Sequence, residues 1–371
     1  MTIKNTKSLS TLLMIFLIML AGCGDQKSSN AVSGNDPTAK TYKWKLVTTW
    51  PANFPVFQEG VERFAKDVKT MSNGRLDINV FAGGELIPPL GVFDAVTQGS
   101  AEMGHGAAYY WSGKVPAAQF MTTVPFGMTA TGVNAWMYGG DGLKLWDEIY
   151  APFNLKAFPM ANTSAQMGGW FNKKINSVAD LKGLKMRIPG LGGKVLAKAG
   201  GNPVLMAGGE IYTALERKTI DATEWVGPYH DLRLGLQRAA NYYYFPGWHE
   251  PGPSLELLIN LDAWNSLTLD LQKIIEVSAA ANNVWMHAEF DVLNQEALQE
   301  LKEKYSHIEI LEFPQEVMQE FQQLTNEVLE EQAANDPVFR KVYDNYKAFR
   351  DQNDEWDSLS DGAYRNAIRN D

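Results

Sequence analysis

The feature that most constrains this fold is the alternation of strand-like and helix-like segments along residues 42–313. Apolar residues recur at helical spacing over 55–71, whereas residues 76–81 alternate like a half-buried strand. The same succession starts again after residue 150. Strands that alternate with helices predict βαβ units with largely parallel sheets, and two such groups predict two α/β lobes. Ligands of such folds bind beyond the carboxyl ends of the strands, which places a site in the cleft between the lobes.

The last part of the chain is predominantly helical in pattern. Residues 267–305 and 314–349 are two long amphipathic stretches, and residues 307–313 between them have the pattern of a strand. We therefore expect helices to dominate the chain after residue 267.

The N-terminus has the pattern of an export signal. Two lysines precede the apolar run 12–20, which is too short to span a membrane and suits a signal peptide. Small residues then lead to Cys23, as in the bacterial lipobox, so residues 1–22 are predicted to be a lipoprotein signal peptide and Cys23 the lipidated residue. The alternative is an ordinary signal peptide with a chance cysteine. Residues 23–41 are polar and predict a flexible tether that holds a periplasmic protein to a membrane surface.

Charge and cysteine content exclude several classes of protein. Cys23 is the only cysteine, so neither an intrachain disulfide nor a cysteine-based zinc site can form. The formal net charge of −10 argues against nucleic acid as a partner. An anionic ligand would need a local positive site, because the overall field is repulsive.

Motifs of catalysis are missing from the sequence. None of the five histidines lies in an HExxH pattern, and no GxSxG elbow occurs. Residues 190–194 (GLGGK) have the wrong spacing for a phosphate loop and predict a glycine-permitted turn into a helix. We therefore interpret the chain as a binding protein and not as an enzyme.

Polar residues at the ends of apolar strands mark the candidate site. They fall in four segments, namely 164–170 (SAQMGGW), 186–190 (MRIPG), 221–228 (DATEWVGP) and 248–252 (WHEPG). Arg187 follows a strand and precedes a Pro-Gly turn, and a guanidinium there can bind a carboxylate with two parallel hydrogen bonds. A structural salt bridge within one lobe is the equally weighted alternative.

Two glutamates in these segments raise a problem of charge. Glu224 and Glu250, if both face the cleft, add −2 to the −1 of a carboxylate ligand, against +1 from Arg187. The sum of −2 requires compensation, which a bound cation would supply. Hard cations prefer oxygen ligands, and Gln166 offers an amide oxygen and Trp225 a backbone carbonyl. The alternative is that both glutamates lie on the surface.

Two of these stretches resemble a known family. Residues 181–189 (LKGLKMRIP) are similar to the LKGLKxRxP signature of the solute receptors of TRAP transporters, the tripartite ATP-independent periplasmic carriers. Residues 210–221 (EIYTALERKTID) resemble the family's ExYxALxxGxxD segment. Lys218, or alternatively Ala222, replaces the expected glycine. The resemblance extends from about Trp44 to the C-terminal helices.

The resemblance implies a fold of two lobes joined by crossing strands and a long spanning helix, closing on the ligand like a flytrap. On that fold, lobe I comprises residues 42–163 and 251–288, and lobe II comprises residues 164–250 and 289–313. Residues 314–371 are expected to form C-terminal helices, through which members of the subgroup that binds its ligand with a metal ion can dimerise. The expected partners are the membrane subunits of the TRAP carrier.

The resemblance also implies a ligand and roles for the site residues. Many sialic-acid and dicarboxylate receptors have Glu-Asn where this chain has Glu224-Trp225, and the Glu-Trp pair is similar to the subgroup that binds 2-oxo or 2-hydroxy acids with a metal ion. In that subgroup Arg187 would hold the carboxylate. The cation, sodium or calcium, would be held by Gln166, Glu224, Glu250 and the Trp225 carbonyl. Tyr110 and Trp50 are candidates for the pocket wall, with an aromatic core role as the alternative.

The expected function is therefore a TRAP receptor for a small monocarboxylate, such as pyruvate. Three alternatives stay open at this stage. They are a receptor for a 2-hydroxy acid such as lactate with calcium, a lipid-anchored metal-dependent enzyme that acts on carboxylates, and a sensory co-receptor with the same binding chemistry.

Overall fold

Two mixed β-sheets organise the part of the chain that this computed structural model describes, residues 40–368. The first sheet has the strand order β2-β1-β3-β10-β4. Its strands are β1 (Tyr42–Thr48), β2 (Leu76–Phe81), β3 (Met103–Gly106), β4 (Leu155–Asn162) and β10 (Ser254–Asn260). The second has the order β11-β9-β5-β8-β6-β7. Its strands are β5 (Gly169–Phe171), β6 (Lys185–Arg187), β7 (Asn202–Val204), β8 (Ala222–Thr223), β9 (Tyr242–Phe245) and β11 (Glu309–Glu312).

The prediction of largely parallel sheets was wrong in one respect. β10 runs antiparallel to both β3 and β4, and β5 runs antiparallel to both β8 and β9. Both departures arise where the chain passes from one sheet to the other, after β4 and again after β9. Each crossing strand, β5 or β10, enters its new sheet without a βαβ connection, so the right-handed parallel arrangement is not imposed on it.

Thirteen α-helices occur among the described residues. They are α1 (Phe57–Met71), α2 (Val92–Thr97), α3 (Gln119–Thr122), α4 (Ala130–Gly139), α5 (Gly142–Tyr150), α6 (Gly190–Lys198), α7 (Gly208–Glu216), α8 (Pro228–Leu234), α9 (Leu261–Asn265), α10 (Leu269–Lys304), α11 (Gln315–Asn335), α12 (Pro337–Leu359) and α13 (Asp361–Ile368). None of these helices is both long enough and apolar enough to cross a membrane.

Helix α10 is the long helix that the resemblance implied. Its 36 residues correspond to a length of roughly 54 Å. The helix packs against α1 and β4 on the side of the first sheet and against α8 on the side of the second. Asn282 shows how closely it packs, because its side-chain amide donates to the Met160 carbonyl oxygen of β4 at 3.2 Å.

The C-terminal helical stretch is not continuous. Residues 314–349 were predicted as one amphipathic stretch, but the chain breaks at Asp336 and a second helix, α12, continues to Leu359. The Asp336 carboxylate accepts the amides of Val338 (2.8 Å) and Phe339 (3.1 Å), and Pro337 occupies the first helical position. This arrangement is a strong helix start, so it outweighs the amphipathic pattern that runs through it.

The two C-terminal helices pack on different parts of the molecule. Helix α11 packs along α6, which follows a strand of the second sheet. Helix α12 packs on α4, where Trp136 donates to the Asn345 side chain at 2.8 Å and its ring meets Tyr346 edge-on. The lobe boundaries given above stay predictions. The signal peptide and Cys23 lie outside the described residues, as does the tether up to residue 39.

Candidate functional site

Two neighbouring parallel strands bring Arg187 and Glu224 together. Arg187 is the last residue of β6 and is in register with Thr223, the last residue of β8. Glu224 follows directly, and its amide donates to the Arg187 carbonyl oxygen at 3.2 Å. Both side chains therefore start from the carboxyl edge of the second sheet, where ligands of α/β folds bind. Arg187 is 1 % exposed and Glu224 is fully buried.

Arg187 is held by several partners in this buried position. Its Nη1 donates to the Glu224 carboxylate and, at 3.3 Å, to the Glu224 backbone carbonyl oxygen. Its Nη2 donates to the Tyr110 hydroxyl at 3.3 Å, and the guanidinium lies 5.2 Å from the centre of the Trp225 ring. The structural salt bridge that was one alternative for Arg187 is thus present, and it lies within the site.

The two segments that cross between the sheets supply the other polar residues. The backbone amide of Gln166 donates to the backbone carbonyl oxygen of Glu250 at 3.1 Å. The backbone amide of Gly247 donates to the backbone carbonyl oxygen of Gln166 at 3.0 Å. A Cβ at Gly247 would lie 2.3 Å from that oxygen, so only glycine permits this approach. The crossing segments are therefore fixed to each other beside the ends of β6 and β8.

Three buried oxygens of these residues have no hydrogen-bond donor within the described chain: Gln166 Oε1, Glu224 Oε2 and Glu250 Oε2. The side-chain amide nitrogen of Gln166, Nε2, donates to Thr163 Oγ1 at 3.0 Å, which orients Oε1 away from Thr163. Unpaired buried acceptors are costly, and each that persists in a fold requires an explanation. Oxygens of carboxylate and amide groups are the ligands that calcium and sodium prefer, so the residues fit a cation.

The electrostatics of the site also favour a bound cation. Burial raises the pKa of Glu250 well above its usual range, and the Glu224 carboxylate raises this pKa further. Arg187 alone therefore does not balance two carboxylates in a dry site. A bound cation would favour the ionised form of Glu250 and supply the missing positive charge.

Two residues of the site were missed by the sequence analysis. His249 Nε2 lies 3.5 Å from Glu224 Oε2, and an atom of His249 lies within 4.8 Å of oxygens of Glu224 and Glu250. The Tyr109 side chain lies close enough to the Glu250 carboxyl group to oppose the rise of its pKa. The position of His249 directly before Glu250 was a signal. Tyr109 had no such signal, because the aromatic run 109–111 gives no indication of which ring faces inward.

A small aromatic cavity of about 10 Å³, enough room for a single water molecule, adjoins these groups. Its wall includes Trp50, Tyr109, Tyr110, Gln166, Trp225 and Leu255. The apolar and aromatic lining with few polar groups is of the kind that binds small organic ligands, although the cavity has to widen to admit one. Trp50 and Tyr110 thus line the cavity, and the indole nitrogen of Trp50 also donates to His105 Nδ1 at 2.7 Å.

A glycine turn provides the space for Tyr109. Gly190 follows Arg187 by three residues and starts α6 with φ at +59°. A Cβ there would lie 2.9 Å from the Tyr109 Cβ, so the Pro-Gly turn predicted after Arg187 also lets this ring approach. The structure brings Arg187, Glu224, Trp225, Glu250 and Tyr110 into one network, and Gln166 joins them at the cavity. Their individual roles in binding stay predictions.

Comparisons with known proteins identify relatives of this chain. Residues 46–336 match the family model of DctP, the bacterial extracellular solute-binding proteins of family 7. The chain is similar to a monocarboxylate 2-oxoacid-binding periplasmic protein of Nostoc sp., with 46 % identity over 347 residues, which cover 94 % of this chain and 93 % of the relative.

Two solved structures of TRAP periplasmic solute-binding proteins are also similar. One, from Colwellia psychrerythraea, was solved with bound calcium and pyruvate. It is 47 % identical with a TM-score of 0.86, and the match covers 88 % of this chain and 100 % of the other. The second, from Pseudoalteromonas atlantica, was solved with bound sodium and pyruvate. It is 45 % identical with a TM-score of 0.86, and the match covers 88 % and 99 % of the two chains.

Proposed function

Because the chain belongs to the DctP family of TRAP solute-binding proteins, we propose that it binds a small 2-oxo acid such as pyruvate together with a metal cation. The proposed site is the buried network around Arg187, and the receptor then delivers the acid to the membrane carrier. Receptors of this family work in the periplasm. The observation that carries the proposal is the set of three buried oxygens on Gln166, Glu224 and Glu250 beside a buried arginine.

The carboxylate of the ligand is assigned to Arg187. Among residues 40–368, the Nη2 atom of Arg187 is held only by the 3.3 Å contact with Tyr110, so an anion can replace the phenol as the acceptor. Arginine cannot lose its charge, and its planar fork matches a carboxylate. Both the relative from Nostoc and the two solved structures are named for 2-oxo acids or contain pyruvate, which supports this class of ligand.

The cation is assigned to the oxygens of Gln166, Glu224 and Glu250, together with the Trp225 carbonyl. Calcium and sodium were found with pyruvate in the two related structures. A 2-oxo acid presents a carboxylate oxygen and a keto oxygen on adjacent carbons, and both can complete the oxygen shell of a cation. The ligand and the cation would therefore bind together.

Isothermal titration calorimetry tests this proposal. The protein is treated with a chelator and then titrated with pyruvate in calcium, in sodium and in neither. Lactate and acetate serve as comparison ligands. Lactate has a hydroxyl in place of the keto oxygen, and acetate has no oxygen on the carbon next to the carboxylate. We expect pyruvate binding that depends on the cation and exceeds acetate binding by at least tenfold. Tighter binding of lactate than of pyruvate would assign the site to a 2-hydroxy acid, and no binding of any acid would refute the proposal.

We also propose that the receptor does not catalyse a reaction. Its family consists of transport receptors. In the site, an atom of His249 lies within 4.8 Å of oxygens of the two glutamates assigned to the cation. No serine or cysteine is among the described residues that line the cavity. Incubation of pyruvate with the calcium-loaded protein, followed by NMR, is expected to recover the acid unchanged. A new product would favour the metal-dependent enzyme.

A lipid anchor at Cys23 is a further part of the proposal. It is supported by the lipobox-like sequence before the only cysteine of the chain. Expression with a radiolabelled fatty acid is expected to label the wild type and place it in the membrane fraction, whereas Cys23→Ser is expected to lose the label. A labelled Cys23→Ser variant, or an unlabelled wild type, would reject the anchor in favour of an ordinary signal peptide.

We propose a homodimer that forms through the C-terminal helices. Large apolar side chains are exposed there, with Trp356 at 68 %, Leu359 at 73 % and Tyr364 at 67 %. Such a group at the end of a chain is typical of a surface that is covered by a partner. Light scattering after size exclusion is expected to give a dimer for the wild type and a monomer for Trp356→Glu. Val284→Glu changes an equally exposed residue on α10 and is expected to leave the dimer intact.

A further inference from the structure

One partly buried hydrogen bond joins a segment of the first sheet to a segment of the second sheet, next to the proposed ligand site. His230 on α8, which follows a strand of the second sheet, has its Nε2 at 2.8 Å from the carbonyl oxygen of Pro55. Pro55 lies between β1 of the first sheet and α1. We propose that His230 is a positioning residue that fixes these segments to each other and thereby slows release of the ligand. This inference rests on the proposed function, because it assumes that the neighbouring site binds a ligand.

The surroundings of His230 determine its charge and tautomer. The imidazole is fully buried, with ring centres 4.5 Å from Phe54, 4.6 Å from Phe57 and 4.7 Å from Phe290. Burial lowers the pKa of His230 to about 3, so the ring is neutral near pH 7. A carbonyl oxygen can only accept, so the proton of the neutral ring is on Nε2. The contact is therefore a hydrogen bond between neutral groups in an aromatic enclosure.

The acceptor is held in place by an unusual turn. Val56 has φ +61° and ψ −57°, and the Phe57 amide donates across it to the same Pro55 oxygen at 2.7 Å. These angles define the rare type of γ-turn, which is strained, and a β-branched residue makes the strain larger. Strained backbone persists where the surroundings over-determine it and is concentrated at ligand clamps. The Pro55 carbonyl oxygen thus receives two donors, one from its own turn and one from His230 on α8.

Trp225 connects this contact to the ligand site. One side of its ring faces Trp50, Phe54 and Phe57, with ring centres 6.1 to 6.3 Å away. The guanidinium of Arg187 lies over the ring at 5.2 Å. The aromatic group that His230 anchors is therefore packed against the residue whose carbonyl is assigned to the cation and beside the arginine assigned to the carboxylate. Loss of the His230 contact would let the Pro55 segment and α8 move apart.

The test uses variants that separate the hydrogen bond from the ring. His230→Phe and His230→Leu both lose the donor, and the first also keeps an aromatic ring. His230→Gln keeps an N–H donor. His307→Phe is the matched control, since His307 Nε2 also lies near a backbone carbonyl oxygen, that of Gln237 at 3.4 Å, but both residues flank the second sheet.

Dissociation of pyruvate from the calcium-loaded full chain is followed by stopped-flow tryptophan fluorescence. A hydrogen bond between neutral groups contributes a factor of about 3 to 10 in such an equilibrium. We expect His230→Phe and His230→Leu to release pyruvate about 3 to 10 times faster, with an association rate within twofold of wild type. His230→Gln is expected to release pyruvate more slowly than these two variants, and His307→Phe is expected to release it at the wild-type rate. Wild-type release rates in the folded donor-free variants would overturn the proposal.

Amide hydrogen exchange separates this inference from the proposed function. In the ligand-free chain, His230→Phe is expected to speed exchange at Phe57, whose amide lies within the γ-turn. If wild type fails to bind pyruvate yet this exchange changes, the proposed function is wrong and the contact stands. In the wild type, calcium and pyruvate are expected to slow exchange at Phe57, and an unchanged rate would overturn the proposal even if neither donor-free variant folds.

Discussion

Arg187 and Glu224 form a buried ion pair at the carboxyl ends of two adjacent parallel strands. Nη1 of Arg187 donates both to the carboxylate and, at 3.3 Å, to the backbone carbonyl oxygen of Glu224. A buried pair of this kind gains little net stability, because the cost of desolvation offsets most of the attraction. Its value is instead positional: each side chain holds the other in the place where the ligand and the cation are proposed to bind.

Arg187→Met should abolish binding of pyruvate, since no other arginine or lysine among the described residues contacts the site oxygens. It should also lower the free energy of unfolding by about 3–5 kcal/mol, because Glu224 is left buried without its partner. Calorimetric titration and urea denaturation measure the two effects. The double variant Arg187→Met/Glu224→Gln is expected to recover much of the stability but none of the binding.

The control for this prediction is Arg63→Met. Arg63 also lies over a tryptophan ring, that of Trp285 at 4.6 Å, but on α1 and α10 away from the site. It should leave pyruvate affinity unchanged. Retained affinity in Arg187→Met would contradict the assignment of the carboxylate to this arginine.

Gln166→Met should weaken binding of the cation and leave the fold intact. Methionine keeps the volume of the side chain but removes the amide oxygen that has no donor among the described residues. The calcium concentration needed for half-maximal pyruvate binding is expected to rise at least tenfold, about 1.4 kcal/mol. Gln237→Met is the control, because Gln237 is also buried with an unpaired Oε1 but lies beyond α8. Equal calcium dependence in both variants would remove Gln166 from the cation site.

Much of this architecture follows from local pattern. Strand 76–81 was predicted with its observed ends, and helix α1 within two residues, because the apolar residues face one side at a regular period. The ends of β6 and β8 could be assigned to the cleft because ligands of α/β folds bind beyond the carboxyl ends of the strands. The antiparallel crossings could not be predicted from pattern, since a strand of three residues such as β5 carries no signal of its direction.

The site itself was only partly accessible to such reasoning. Arg187, Glu224 and Glu250 stood out as charged residues after apolar strands. The inward direction of His249 and Tyr109 depends on how two crossing segments pack, which is a property of the whole fold and not of local sequence. The break at Asp336 was readable from the Asp-Pro pair, but the apolar period continued through it and was given more weight.

Lys218→Gly should stabilise the protein. Lys218 is exposed at the end of α7 and has φ at +58°, a left-handed conformation that disfavours residues with a Cβ. It occupies the position at which the family signature has glycine, so this backbone conformation gives a physical reason for that glycine. We expect a gain of about 1 kcal/mol in the free energy of unfolding, measured by urea denaturation. Lys144→Gly, at an exposed position inside α5, should instead lose about 1 kcal/mol, and equal effects of both changes would refute the explanation.

Glu256→Gln should flatten the pH dependence of stability. Glu256 is fully buried in β10 and accepts hydrogen bonds from Trp111 and from the Tyr150 hydroxyl at 2.8 Å. Burial raises its pKa to about 8, and the two hydrogen bonds oppose this rise. The folded state therefore holds this proton up to about pH 8, whereas the unfolded chain loses it near pH 4.5. Between these values the folded state binds more protons, so stability contributed by the neutral form falls as pH rises.

The slope expected from this one group is about 1.4 kcal/mol per pH unit. A glutamine fits the same position, since its oxygen accepts from Trp111 and its nitrogen donates to Tyr150. The free energies of unfolding of wild type and Glu256→Gln, measured in urea at pH 6 and pH 8, should therefore diverge by about 2–3 kcal/mol in favour of the variant at the higher pH. Comparing the two proteins at each pH cancels the contribution of other groups, including Asp231, whose pKa burial raises to about 7. Parallel pH profiles would mean that Glu256 is already ionised in the fold at pH 6.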